Sequence, residues 1–446
     1  MRLKEHFLVY RGLPKGIYFL FLSDIINRMG GFILPLMTLI LTGKLGLSVS
    51  DAGLFATAAM LAQAPFFLLG GKLSDKFGSK RVIVLFDFLG AFTYLLCGFL
   101  PPGHVTAVLL VVASAFFGVA SPAHTAIIPE LAPPSMIKSA YSLIYLGYNI
   151  GLSVGPLLGG LLFVNHFRLL FLLDGMTTMA ATIVVLLGVR SRAKEKKGPF
   201  SAAAEAILEE EKKRAEDGSV FSFLRKNPVL LAFAGCLLIY NFCYIQWAFI
   251  LPLQTVDRFG ENGARLYSLL VSVNAVTVVV LTPLLTSLTR RLHALETIFL
   301  GGVFYLGAFL LFAVNGWTLV FMIGMVSITV GEILININMN VFIAQKTPDA
   351  YMGRANSLLS IVNGAGFAIG PVIMGNLLLL LTFRSAWFLV SGLIILGFLL
   401  VRALRHMDGD ASSGGSRGNG AGDMQIDDEI QDEAESELFR EEETTR

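Results

Sequence analysis

Residues 70–81 read GGKLSDKFGSKR, a run of charge in a largely apolar chain. Lys72, Asp75, Lys76, Lys80 and Arg81 crowd into twelve residues punctuated by Gly70, Gly71 and Gly78, and a long apolar segment runs away on each side. A charged knot of this kind needs a reason in a chain of 446 residues that is 55% hydrophobic and only 15% charged. That balance excludes an ordinary soluble globular protein and points to an integral membrane protein.

Apolar spans long enough to cross a hydrocarbon core of about 30 Å as a helix recur along almost the whole chain. Twelve are expected, at residues 17–42, 51–71, 82–100, 105–128, 136–164, 168–190, 228–256, 265–288, 295–314, 318–345, 351–382 and 384–404. These runs are far longer than the ~10-residue alternating strands of a membrane barrel, so the fold class is an all-α helical bundle. The knot is then the loop between spans 2 and 3.

Positive residues near span ends stay on the cytoplasmic side. Lys72, Lys76, Lys80 and Arg81 lie between spans 2 and 3, Lys138 between 4 and 5, Arg290 and Arg291 between 8 and 9, and Lys346 and Arg354 between 10 and 11, while the opposite loops are nearly bare. With Arg2, Lys4, Arg11 and Lys15 before span 1, and Arg402 and Arg405 after span 12, both termini are expected in the cytoplasm and the chain in the inner (plasma) membrane. The basic N-terminus carries no apolar core followed by a cleavage site, so span 1 is expected to serve as its own targeting signal. Cys97, Cys236 and Cys243 fall inside spans without metal-ligand spacing and are expected to pack.

Two polar segments interrupt the pattern. Residues 191–227, through KEKKGPF and EEEKKRAEDG, suit a cytoplasmic linker between an N-terminal six-helix half, 1–190, and a C-terminal half, 228–405. The tail, 406–446, is Gly/Ser/Asn-rich and then acidic, which predicts a disordered cytoplasmic segment. Residues 407–446 hold 13 acidic side chains against 3 arginines, so removing their net −10 from the whole chain's +2 leaves about +12, suited to an anionic leaflet.

An internal repeat supports the two halves. PPSMIKSAYSL at 133–143 lies 215 positions before PDAYMGRANSL at 348–358, and at the same offset GLSVGPLLGG at 151–160 aligns with GFAIGPVIMG at 366–375. Both of the latter share GxxxGPxxxG: Gly151, Gly155, Pro156 and Gly159 in the first copy, Gly366, Gly370 and Pro371 in the second. Glycines every fourth residue give a flat face for close helix packing, and proline removes a backbone donor.

With these features in place, GGKLSDKFGSKR resembles the signature of the major facilitator superfamily, carried here by Gly71, Leu73, Asp75, Gly78, Lys80 and Arg81, and the resemblance extends over residues 10–405. It implies twelve transmembrane helices in two pseudo-symmetric halves. It also implies that the loop links the halves and helps to hold one of two alternating states, with Gly71, Asp75, Gly78 and Arg81 as a conformational latch. Asp75 is suited to the N-terminus of span 11. In the second half, Arg290 occupies the position of Asp75, so the latch is expected to be one-sided. The span 5 motif is similar to the one associated with proton-coupled antiporters, and the nearest branch is that of drug:proton antiporters, although an arginine common in span 4 of that branch is missing here. Arg28 in span 1 is the candidate to replace it.

Ionisable groups within spans are costly in hydrocarbon and mark cavities. Asp24, Asn27 and Arg28 are spaced i, i+3, i+4 and share a helical face. In span 10, GEILININMN places Glu332, Asn336 and Asn340 on one stripe, with Asn338 directed elsewhere. A carboxylate at mid-span makes Glu332 the expected proton-binding group; Asp24, one turn from Arg28, is the weaker candidate. Tyr141, Tyr145 and Tyr148 in span 5, Tyr240, Tyr244 and Trp247 in span 7, and Asn149 and Asn241 complete a broad cavity suited to an amphipathic solute, although such aromatic stripes also serve packing.

No nucleotide loop, metal-ligand set or nucleophile constellation occurs, so no enzyme activity, cofactor, metal or nucleic-acid partner is expected. The expected function is secondary active transport of a small-molecule substrate by alternating access, as proton-coupled efflux of multidrug type, by a monomer whose other partners are protons and the lipid bilayer. Proton-coupled import of a nutrient, and a lipid scramblase or receptor built on the same bundle, are the alternatives.

Overall fold

The computed structural model describes residues 10–133, 136–189, 228–289, 292–314, 316–346 and 352–415, with the backbone alone at 64, 138, 340, 344–346, 352–363 and 406–415. In an apolar medium every backbone N–H and C=O must be satisfied within the chain, and these sequences do so as helices. We number them α1 (Lys15–Met29), α2 (Val49–Phe77), α3 (Ser79–Phe99), α4 (His104–Leu131), α5 (Ile137–Asn165), α6 (Phe167–Gly188), α7 (Pro228–Phe259), α8 (Glu261–Thr289), α9 (Ala294–Val314), α10 (Thr318–Lys346), α11 (Met352–Leu377) and α12 (Phe383–Gly415). Ten of them are long and apolar enough to cross a membrane among the described residues. The outer surface is correspondingly greasy, with Leu68, Leu187, Trp317 and Leu380 well exposed. The three cysteines are free and buried, as their positions in the spans predict.

Two helices depart from the expected spans. Span 1 is not one helix through residue 42: α1 stops at Gly30, and short helical pieces, Met37–Leu39 and the π-helical Ile40–Lys44, resume after Pro35. The cause is local, because a β-carbon at Gly30 would collide with Thr177 of α6. Only a glycine lets the two helices approach so closely there. At the other end of the chain, α12 continues to Gly415, ten residues into the segment predicted to be a tail. The linker 191–227 and the residues from 416 onward lie outside the described residues.

The turn in GGKLSDKFGSKR is built around Gly78, which ends α2 and starts α3 with φ +87°. That backbone region is open to glycine and strained for other residues. The turn is fastened to its own half by Ser79 Oγ, which donates to Glu130 Oε1 of α4 at 2.5 Å, and by Lys80 Nζ, which donates to the Leu186 carbonyl of α6 at 2.7 Å.

The glycine repeats do the same job twice. Gly151, Gly155 and Gly159 of α5 press onto α1 and the break that follows it, where added β-carbons would meet Arg28, Met29 and Phe32. In the second half, Gly366 and Gly370 of α11 press onto α7 at Asn241 and Ile245. Between the halves, α5 lies along α8 and α2 along α11. Gly53 of α2 abuts the carbonyl of Pro371, Thr57 Oγ1 donates to the Ala368 carbonyl, and Ser50 Oγ donates to Asn376 Oδ1 at 2.9 Å. Thr38, after the break in span 1, donates to the Ala248 carbonyl of α7 at 3.3 Å. Among the described residues, these hydrogen bonds between the halves all sit toward the end of the bundle remote from the basic turn.

Candidate functional site

Among the described residues, two groups of side chains built around ionisable residues lie inside the bundle, one in each half. The first surrounds Glu332, the fifteenth of the 29 residues of α10. Glu332 shares a cavity of about 180 Å³ with Tyr240, Asn241 and Tyr244 of α7, Tyr305 of α9, Asn336 of α10 and Phe367 of α11. Its Oε2 accepts from Asn274 Nδ2 of α8 at 3.0 Å, and the same amide donates to Thr329 Oγ1 at 2.9 Å. Tyr244 also hydrogen-bonds Glu332. Its ring stacks on Tyr305 with centroids 5.7 Å apart and meets Phe367 edge-on at 5.9 Å. The result is an aromatic box with one carboxylate and two amides in its wall.

Of the residues selected from the sequence, Glu332, Tyr240, Asn241, Tyr244 and Asn336 therefore come together. Tyr145 of α5 is half exposed and within range of Glu332, but it is not among the residues that line the cavity. Two other candidates have local jobs. Asn149 is buried and donates to the Tyr145 carbonyl one turn back, and Tyr141 donates to the Thr125 carbonyl of α4 at 3.2 Å. Asn338 donates to the Leu334 carbonyl of its own helix, in keeping with its expected direction. The Asn340 side chain lies outside the described residues.

The second group contains Asp24 and Arg28 of α1, with Asn27 half-buried between them in sequence. The Arg28 guanidinium lies 4.4 Å over the Tyr148 ring of α5, and its Nε is buried without a hydrogen-bond partner. Asp24 faces Arg28, His124 of α4 and Asp87 of α3, and the last two are joined, Nε2 to Oδ2, at 2.8 Å. Asp174 of α6 is buried at the break in span 1, where its Oδ2 accepts the backbone N–H groups of Phe32 and Ile33 at 2.9 and 3.0 Å. Asp87, His124 and Asp174 were not among the sequence candidates, although each is a lone ionisable residue inside an apolar span and carried the same signal that selected Asp24 and Glu332.

At the basic turn, Asp75 and Arg81 are exposed and Gly71 is half-buried with open space beside it. The side chains that begin α11, the expected counterpart of Asp75, lie outside the described residues, as does Arg290.

The architecture has clear relatives. The profile of the Major Facilitator Superfamily matches residues 20–371 and 264–422. The chain belongs to this superfamily. A Bacillus subtilis protein, the uncharacterised MFS-type transporter YttB, is 24% identical over 371 residues, covering 82% of this chain and 89% of its own. A Na⁺, Li⁺, K⁺/H⁺ antiporter of Planococcus maritimus is 23% identical over 352 residues, 72% of this chain and 80% of its own. The quinolone resistance protein NorA of Staphylococcus aureus is 25% identical over 201 residues, 44% of this chain and 50% of its own. Among solved structures, the nucleoside transporter NupG superimposes with a TM-score of 0.69 at 14% identity, over 87% of this chain and 98% of that one. The peptide transporter POT in complex with sulfate gives 0.67 at 17%, over 90% and 95%. The protein is thus a multi-pass plasma-membrane transporter of the major facilitator fold and not an enzyme.

Proposed function

We propose that this transporter exports a small amphipathic organic solute in exchange for protons, by alternating access of the halves 1–190 and 228–405. Glu332 is the proton-binding group, and the box around it is the substrate cavity. The observation that carries this reading is the placing of one carboxylate at the middle of α10, against Tyr240, Tyr244, Tyr305, Phe367 and the amides of Asn241 and Asn336. Aromatic faces hold apolar surface and organic cations, while the amides and the carboxylate fix orientation. A carboxylate there takes a proton at little cost when the cavity is dry and releases it when one side floods. NorA and the Planococcus antiporter make efflux and proton exchange chemically reasonable for this architecture.

In this reading the protein acts as a monomer with both termini in the cytoplasm. The hydrogen bonds from Thr38, Ser50 and Thr57 then lie at the outer end, so the cavity opens inward. Asp24, Asn27 and Arg28 contact substrate or gate it, and Asp75 latches the basic turn to α11.

The test is direct. A panel of organic compounds is screened by thermal shift on the purified protein, and hits are assayed in proteoliposomes under an imposed pH gradient. Glu332→Gln should abolish gradient-driven accumulation while gradient-independent exchange or binding persists. A glutamine variant that still concentrates substrate with protons overturns the assignment.

A further inference from the structure

We propose that His124 and Asp87 form a second proton-binding site, in the first half of the bundle, that loads and unloads separately from Glu332. The geometry is a hydrogen-bonded pair, Nε2 to Oδ2 at 2.8 Å, with an asymmetric setting: Asp87 keeps 8% of its side-chain surface exposed and the imidazole keeps 38%. The carboxylate is at the back and the proton carrier is at the accessible front.

The charged groups that face His124 are Asp87 from α3 and Asp24 and Arg28 from α1. From α5 come neutral rings, Tyr141 on the neighbouring Thr125 carbonyl and Tyr148 under Arg28. From α2, Gln63 and Phe66 pack near α4 at Gly118 and carry no charge. Asp174 of α6 faces Arg28 and accepts the two N–H groups of Phe32 and Ile33. Beside Asp24 and Asp87 the permanent cation is Arg28, and a protonated His124 supplies the counter-charge that lies directly on Asp87, without which that pair is unbalanced. In a low-dielectric interior the unbalanced arrangement is the costly one. The site therefore holds a proton while closed and gives it up when water or a cationic group reaches the open face of the imidazole.

This rests on the reading of the protein as proton-coupled, and it adds a second proton to each cycle. It is testable without a substrate. Purified protein in lightly buffered detergent is taken from roughly pH 8 to pH 5 and the protons bound are counted with an indicator dye. His124→Gln, which keeps an amide donor for Asp87, should bind about one proton fewer; Glu332→Gln should do the same, and the double variant should lose both. If only the Glu332 loss appears, the second site is wrong and the proposed function stands. If only the His124 loss appears, the reverse holds.

Ring-labelled histidine NMR supplies a second readout, with His124→Gln identifying one signal among the six histidines. Asp87→Asn should let that imidazole give up its proton about tenfold more readily, as expected for loss of a close anionic partner, and Glu332→Gln should leave it unmoved. A signal that does not titrate between about pH 4 and 10, or that ignores Asp87→Asn, overturns the proposal.

Discussion

Asp174→Ala tests how the break in span 1 is held. The carboxylate is 4% exposed, and one of its oxygens takes both N–H groups that follow the break, Phe32 at 2.9 Å and Ile33 at 3.0 Å. These donors have no helical acceptor, because α1 ends at Gly30 and the next helical piece begins at Met37. Alanine leaves the buried Ile33 N–H unsatisfied, while the Phe32 N–H keeps its second acceptor, the Gly30 carbonyl at 2.9 Å, so the loss is about 1–3 kcal/mol. Asparagine retains one acceptor oxygen and should keep roughly half of this stability. Thermal unfolding in detergent reads the total. Hydrogen exchange at residues 32–33 reads the cause, since 2 kcal/mol of easier local opening is roughly a thirtyfold faster exchange. An alanine variant that loses less than about 1 kcal/mol, with exchange unchanged at 32–33, refutes the reasoning. An asparagine variant as damaged as alanine shows that charge, and not acceptance, holds the break.

Much of this molecule was legible in the sequence because lipid is a demanding solvent. Long apolar runs can only be helices there, and the 215-residue offset between the glycine motifs pairs the halves before any contact is seen. The break in span 1 escaped because a count of apolar residues is insensitive to it, although Gly30, Gly31 and Pro35 mark it in the sequence. Period-four spacing selected Glu332 and Asn336 correctly as neighbours, since that relation lies within one helix. It could not find the partners of Asp174 or Asp87, which lie 142 and 37 residues away, in the break of span 1 and on α4. Asn149 shows a second limit: its amide bonds the carbonyl four residues back, a local partner that its letter does not announce.

Gly155→Leu should cost stability, because even a β-carbon there meets the carbonyls of Arg28 and Met29, and overpacking of this kind costs about 1–3 kcal/mol; a variant as stable as the parent in thermal unfolding would show that α1 and α5 separate freely. Gly78→Val should lower stability by about 1–3 kcal/mol through its positive φ alone, since no atom lies within 4 Å of an added β-carbon, and unchanged thermal unfolding would remove the strain argument. Trp387→Phe removes a buried 2.6 Å hydrogen bond from Nε1 to Gln254 Oε1, and a shift in thermal unfolding equivalent to about 1–2 kcal/mol is expected; no shift would mean the bond is replaced. The final prediction concerns Asp75, exposed near the end of α2. Its turn is fastened to the first half through Ser79 and Lys80, so the position of Asp75 reports the position of that half. Asp75→Asn leaves both fastenings in place. Stability should therefore change by no more than about 0.5 kcal/mol, while the balance of outward- and inward-open populations moves. Paired spin labels across each face of the bundle measure that balance, and identical distance distributions in parent and variant would reduce Asp75 to a charge that only orients the loop in the membrane.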